Sequence, residues 1–326
     1  GERSETSFAY DVIDLSAGAD ARVVSRLEVP DNLAWGGWGY GAYGCMIDMY
    51  WGWYGYDAGA TPVSGDIIAS QHQEPVEDDP DRVRYYLDRI DVSDPAAPVL
   101  LDPVNIPGQV LHYEHDRGLL VTVEDLREEL GELANYQACY DLEPTASWEY
   151  DQAAYEANGY DWANTPGTCV RWHRRLSSLL LEGDVARRVS MLDLNQSDDD
   201  TFRSVGSIAV SDRRVFFQSY VYDRDSYQYL DNRVTALGYG TDGRLSALGS
   251  VESDSESWYG LVARGDRAFL SGYGTLSVVT SPNGQRPTAA SYDLRSWYCD
   301  SGSLEVVGDV ALCAGGEFGV QRIALD

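Results

Sequence analysis

The feature that most constrains this chain is a short pattern that recurs along it. Two or three β-forming residues lead into a tight turn carrying Asp, usually with Gly, and a second β-run follows. The pattern occurs at Pro62-Val63-Ser64-Gly65-Asp66-Ile67-Ile68-Ala69 and at Tyr113-Glu114-His115-Asp116-Arg117-Gly118-Leu119-Leu120-Val121. It returns at Ala209–Phe217, at Val262–Leu270 and at Val306–Leu312. Asp and Gly suit the turn dihedrals that join antiparallel strands, so each copy predicts a β-hairpin. The turn residues Asp66, Asp116, Asp212, Asp266 and Asp309 are spaced by 50, 96, 54 and 43 residues. A unit of roughly 40–50 residues is the period of a four-stranded propeller blade. The spacing of 96 is then one blade plus an insertion.

Further β-runs fill the intervals. Val83–Val92 with Val99–Val104, Val234–Leu237 with Arg244–Val251, and Thr275–Thr280 with Pro287–Leu294 complete units of four antiparallel strands. The expected fold is therefore all-β: one propeller domain over residues 1–326, with five to seven blades. Val320–Leu325 adds a further strand. The first unit, Phe8–Val29, has no hairpin ahead of it. Pairing of Val23–Val29 with the last blade would close a five-bladed ring and bury its edges, leaving Phe8–Leu15 spare. More blades would need material from upstream or from another chain.

Residues 84–121 carry a resemblance. Arg89-Ile90-Asp91-Val92-Ser93-Asp94-Pro95-Ala96-Ala97-Pro98-Val99-Leu100, then Ile106-Pro107-Gly108, resembles the LVIVD-type β-propeller repeat of bacterial and archaeal extracellular proteins. Val12-Ile13-Asp14-Leu15-Ser16 and Met191-Leu192-Asp193-Leu194 are looser echoes. Asp94 is suited to accept from nearby backbone N–H groups, and Pro95 fixes the φ of the turn. The resemblance implies the propeller fold and a surface setting. It transfers no catalytic residue.

Composition narrows the partners. The 53 acidic side chains against 24 basic ones, all of them Arg, leave a net charge of -29, which disfavours nucleic acid. No stretch reaches the roughly 20 apolar residues of a transmembrane helix. The polar start Gly1-Glu2-Arg3-Ser4-Glu5 reads as a mature or truncated chain, its targeting segment removed. Five cysteines fit either disulfides in an oxidising compartment or buried thiols. Spacing favours Cys139 with Cys169 and Cys299 with Cys313. Cys45 is left as a buried thiol or a link to another chain. Secretion or a cell-surface (extracellular or periplasmic) location is expected.

Two long insertions fall on one propeller face. Residues 31–61 are rich in Gly and aromatics: Trp35, Trp38, Tyr40, Tyr43, Trp51, Trp53, Tyr54 and Tyr56 form a candidate platform for a sugar ring or partner protein. An alternative is a cap whose rings are buried over the central channel. The second insertion, residues 124–168, opens with Asp125–Leu133, whose Leu126, Leu130 and Leu133 predict a short helix. A Cys139–Cys169 bridge would close it.

Chemistry is sparse. His72 and His112, at strand ends, with Asp223 and Asp225 in an acidic loop, are the metal candidates. Ordinary hydrogen-bonded strand ends and solvated acids explain them as well. No phosphate loop, nucleophile elbow or Cys-x-x-Cys pair occurs. The expected function is non-catalytic binding of a protein or glycan through the insertion-bearing face. A larger surface assembly, through Cys45 or unpaired strands, would be compatible with it. No cofactor is required, although the acidic loops suit calcium. The alternative is a calcium- or metal-assisted polysaccharide hydrolase or lyase working at the propeller channel.

Overall fold

The structure is a computed structural model. It describes residues 8–16, 20–29, 63–77, 79–143, 145–195, 200–211, 214–224, 226, 228–253, 261–272, 274–282, 285–294, 304–314 and 319–325. Each repeated pattern is a hairpin, and the turn glycines show why. Gly65, Gly118, Gly265 and Gly308 have φ of 59°, 59°, 59° and 60°. That left-handed region is open to glycine at little cost. In the two-residue turns at Gly65, Gly265 and Gly308 it also matches the twist of the strands being joined.

The chain starts with an antiparallel pair, β1 (Phe8–Asp14) and β2 (Arg22–Val29). The first larger sheet runs β3 (Val63–Ser64), β4 (Ile67–Val76), β5 (Asp79–Asp91) and β6 (Val99–Leu100), with β7 (Val104–Ile106) also on β5. The second holds β8 (Gln109–Glu114), β9 (Leu119–Leu133), β10 (Ser147–Tyr150), β11 (Gly167–Glu182) and β12 (Val185–Asp193). Its order is β8-β9-β11, with β10 and β12 both pairing with β11. The third is the meander β13 (Thr201–Val210), β14 (Arg214–Asp223), β15 (Tyr229–Tyr239), β16 (Leu245–Glu252). The fourth is β17 (Leu261–Arg264), β18 (Arg267–Gly272), β19 (Thr275–Thr280), β20 (Thr288–Asp293). The last is β21 (Leu304–Val307), β22 (Val310–Ala314), β23 (Val320–Ala324).

Each of these larger sheets packs on the next one in sequence. One apolar cluster joins Ile67, Ala69 and Leu87 of the first to Leu120 and Leu179 of the second. Another joins Val121, Val123 and Leu176 to Val205, Val215 and Phe217 of the third. Phe216 and Ala236 then meet Leu261, Ala268 and Leu270 of the fourth. Phe269 and Val278 meet Ala311, Cys313 and Ile323 of the last. Neighbouring residues on a strand point to opposite faces, so Val215 and Phe217 enter one cluster and Phe216 the other. Burial on both faces is why these strands read as near-continuous apolar runs.

The LVIVD-like segment makes the local bonds its residues suit. The Ala96 N–H donates to Asp94 at 3.0 Å, and the Ser93 N–H to Asp91 at 2.8 Å. The two echoes repeat the second bond: Ser16 donates to Asp14 and Asn195 to Asp193. The bonds from Ser16 and Ser93 hold the carboxyls of Asp14 and Asp91 below the usual aspartate range.

Two expectations are corrected. Asp125–Leu133 is not a helix but the outer part of β9, paired with residues 167–174 of β11. Leucine and glutamate favour helices only weakly. The β-forming partner residues Val170 and Trp172, together with cross-strand ion pairs, outweigh that preference. Val23–Val29 does not join the last sheet; it pairs along its length with β1, from Phe8 opposite Val29 to Asp14 opposite Arg22. A short connection makes this closure entropically cheap, and Arg26 clamps Asp11 through two hydrogen bonds of 2.7 and 2.9 Å. No described helix is long and apolar enough to cross a membrane.

Phe216 is fully buried between the third and fourth sheets. Truncation to alanine is expected to cost about 3–5 kcal/mol, read by urea denaturation. Val320→Ala, at a site 68% exposed, should change stability by no more than about 0.5 kcal/mol.

Candidate functional site

Strands β9 and β11 run far beyond the body of their sheet, and that extension carries the second insertion. Between them the chain folds into β10 and two short helices, α1 (Tyr136–Leu142) and α2 (Gln152–Ala157), followed by a 3-10 turn at Trp162–Asn164. Each helical segment starts on an acceptor side chain. Asn135, Asp151 and Asp161 accept from the backbone N–H groups of Ala138, Ala154 and Asn164. The buried disulfide Cys139–Cys169 pins α1 to β11, as the spacing of the two residues suggests.

The insertion displays aromatic rings in two clusters. Trp162 meets Tyr136 edge-on at 4.9 Å, and Tyr136 lies 5.7 Å from Tyr140. Tyr155 sits between Tyr150 at 5.0 Å and Tyr160 at 5.4 Å. The outer rings remain open to solvent: Tyr160 is 66% exposed and Trp162 47%. Edge contacts between rings hold them in place without burying their outer surfaces.

Beside the insertion lies a cleft of about 400 Å³, lined by Glu143, Thr145, Arg171, Trp172, His173, Asp193, Asn195 and Arg224. Strand alternation places Arg171, His173 and Glu128 on one face of the β9–β11 ladder. Arg171 bonds both Glu128, at 3.3 Å, and the buried Glu143, which also accepts from the Thr145 hydroxyl at 2.8 Å. Burial pushes the Glu143 carboxyl up, but the hydrogen bonds from Thr145 and Arg171 outweigh it and hold the group below the usual glutamate range. The histidine of the cleft is His173, whose Nε2 lies 2.7 Å from Glu128 and whose Nδ1 lies 2.9 Å from Asp193.

Hydrogen bonding to Glu128, joined by Asp193, raises the His173 pKa against the opposing effect of burial. The same bond from His173, with Arg171 close by, lowers that of Glu128. Next to them Arg174 holds Asp125 through bonds of 2.8 and 3.1 Å and reaches the Val205 carbonyl at 3.1 Å, tying the extension to β13.

Among the described residues the metal candidates His72, His112 and Asp223 belong to no metal-holding group. His72 is buried on β4, with Nδ1 2.7 Å from the buried Asp88, Nε2 3.6 Å from Glu74, and its ring stacked on Tyr86 at 4.9 Å. Burial raises the Asp88 pKa against the opposing pull of His72. His112, on β8, stacks with Tyr239 at 6.4 Å. Asp223 ends β14 and accepts from the N–H and hydroxyl of Ser226 at 2.7 and 2.6 Å. Asp225 lies outside the described residues. Among the described residues no group of three or more His, Cys, Asp and Glu is placed to hold a metal ion. Trp35, Trp38, Tyr40, Tyr43, Trp51, Trp53, Tyr54 and Tyr56 also lie outside the described residues, as do Cys45 and Cys299. Cys313 is buried and disulfide-bonded.

Sequence reasoning assigned His173, Arg171 and Glu128 no role. The available signal was the alternation in Arg171-Trp172-His173, which puts two basic groups on one face once the segment is known to be a strand. No family model matches the chain, and no curated protein matches it either.

The Glu128–His173 pair carries its own pH dependence. The raised His173 pKa contributes stability that is full below the unfolded value and lost as pH rises through the folded one. The lowered Glu128 pKa contributes stability that is present above the unfolded value and lost as pH falls through the folded one. The pair therefore stabilises most between the two. Glu128→Gln is expected to move the His173 titration, followed by NMR, down toward the ordinary histidine range. Removing the disulfide through Cys139→Ser with Cys169→Ser should cost about 2–4 kcal/mol, measured by denaturant unfolding.

Proposed function

We propose that this chain is a non-catalytic, secreted or cell-surface β-propeller of the LVIVD-repeat type that binds a protein or glycan through the face bearing its insertions. The observation that carries this reading is the set of exposed, mutually braced rings on the disulfide-tied insertion, Tyr150, Tyr160 and Trp162 foremost. Aromatic side chains offer large contact areas at low entropic cost and dominate many interfaces. The propeller reading is supported by antiparallel sheets that follow one another in sequence, each packed on the next. The disulfide suits an oxidising compartment.

A binding role also fits the chemistry of the cleft. His173 commits both ring nitrogens to carboxylates, and Arg171 is shared between Glu128 and Glu143. Such a network fixes shape and charge; moving a substrate proton through His173 would first require breaking it.

The test is a double variant, Tyr160→Ala with Trp162→Ala, compared with the native protein on a glycan microarray and against purified surface proteins of the source cell. Binding is expected to weaken by about tenfold or more, with the melting temperature nearly unchanged. Undiminished binding would remove the aromatic insertion from the interface.

A further inference from the structure

The aromatic insertion carries a charge pattern that its own fold does not require. From Glu128 to Val170 there are nine acidic residues and no Arg, Lys or His. Within this stretch an aromatic–acid pair recurs every five residues, as Tyr150-Asp151, Tyr155-Glu156 and Tyr160-Asp161. Folding gathers the three tyrosines into one cluster, with Tyr155 5.0 Å from Tyr150 and 5.4 Å from Tyr160. The carboxylates of Asp151, Glu156 and Asp161 belong to exposed residues and bond neutral donors: the Ala154 N–H, the Gln152 amide, and the N–H and amide of Asn164. Among the described residues no Arg or His forms an ion pair with any of the three. Their charge is therefore left unmatched beside the exposed rings.

Tyr160 supplies an independent observation. Among the described residues it is the only non-glycine with a positive φ, at 66°. Its Cβ is crowded in that conformation, which Gly or Asn adopts more readily. The ring nevertheless stays mostly exposed, with an edge contact to Tyr155. Neither burial nor the backbone calls for tyrosine here. Strain kept at an exposed ring points to a contact made outside the chain.

We infer that the insertion docks a basic protein segment, its Arg and Lys side chains laid over the rings of Tyr160 and Trp162 and neutralised by Asp151, Glu156 and Asp161. This rests on the binding role proposed above and names the partner class. Ring faces attract cations, and neighbouring carboxylates add to that attraction and steer the encounter. A neutral glycan could use the ring faces, but its hydroxyls are neutral donors of the kind these carboxylates already hold, and the three charges would remain unmatched. A second copy of this chain, at a net charge of -29, would be repelled.

The experiment is fluorescence anisotropy on the full chain with three labelled octapeptides, alternating Arg-Gly, Lys-Gly and Gln-Gly, at about 150 mM salt to screen long-range attraction. The Arg peptide should bind saturably, the Lys peptide more weakly, and the Gln peptide at least about tenfold more weakly than the Arg peptide. Tyr160→Asn with Trp162→Ala should weaken Arg-peptide binding by about tenfold or more. The triple variant Asp151→Asn, Glu156→Gln, Asp161→Asn should do the same. Asn caps a helix about as well as Asp, so this variant keeps its fold, checked by its melting temperature. Tyr160→Asn alone should melt no lower than the native protein, since Asn accepts the positive φ. A control triple, Asp102→Asn, Glu252→Gln, Glu305→Gln, removes the same charge from exposed sites elsewhere and should change affinity by less than about twofold. Preference for the Gln peptide, undiminished binding by either folded insertion variant, or equal losses in the two triple variants would overturn the inference. Such a failure, with array binding still lost in Tyr160→Ala/Trp162→Ala, would overturn the basic partner alone and leave the broader binding role standing.

Discussion

The packing of each sheet against its sequence neighbour is the interaction on which the rest of the structure depends. A sheet must cover its apolar surface to be stable, and here interior sheets bury both faces. Phe216 and Phe217 show the arrangement in two adjacent residues, one reaching forward to the fourth sheet and the other back to the second. The contacts run between consecutive units, so the stack is built largely from neighbours in the chain.

That regular body is what allows β9 and β11 to project. Their inner halves are locked in the core by Leu120, Val121, Leu176 and Leu179, while their outer halves carry charge and the insertion. Beyond the core, the ladder depends on backbone pairing, cross-strand ion pairs and the Cys139–Cys169 bridge. Exposed ion pairs contribute little singly, so the disulfide and the shared network around Glu128 do most to order the site.

The repeated hairpins were legible because their signals are local. Turn residues and flanking β-runs define each one within about nine residues, and in four of them a glycine takes the positive φ the turn demands. Thr275–Thr280 matches its strand end to end. The Asp94 turn was legible for the same reason. Asp125–Leu133 was misread because its leucine spacing fits a helix when its partner, residues 167–174, is ignored. The cleft was missed for a related reason: Glu143, Arg171, Asp193 and Arg224 are far apart in sequence, and only pairing brings them to one place.

By itself the sequence determined the all-β class, the hairpin positions, the acidic balance of charge and one disulfide pairing, since each follows from residue type and short-range spacing. Tertiary structure alone decided that β2 pairs with β1, that the charged run after Val123 continues as a strand, and that Arg224 lines a cleft with its Nε buried. Those outcomes depend on which distant segment arrives alongside, and the competing local preferences differ by too little to settle them in advance.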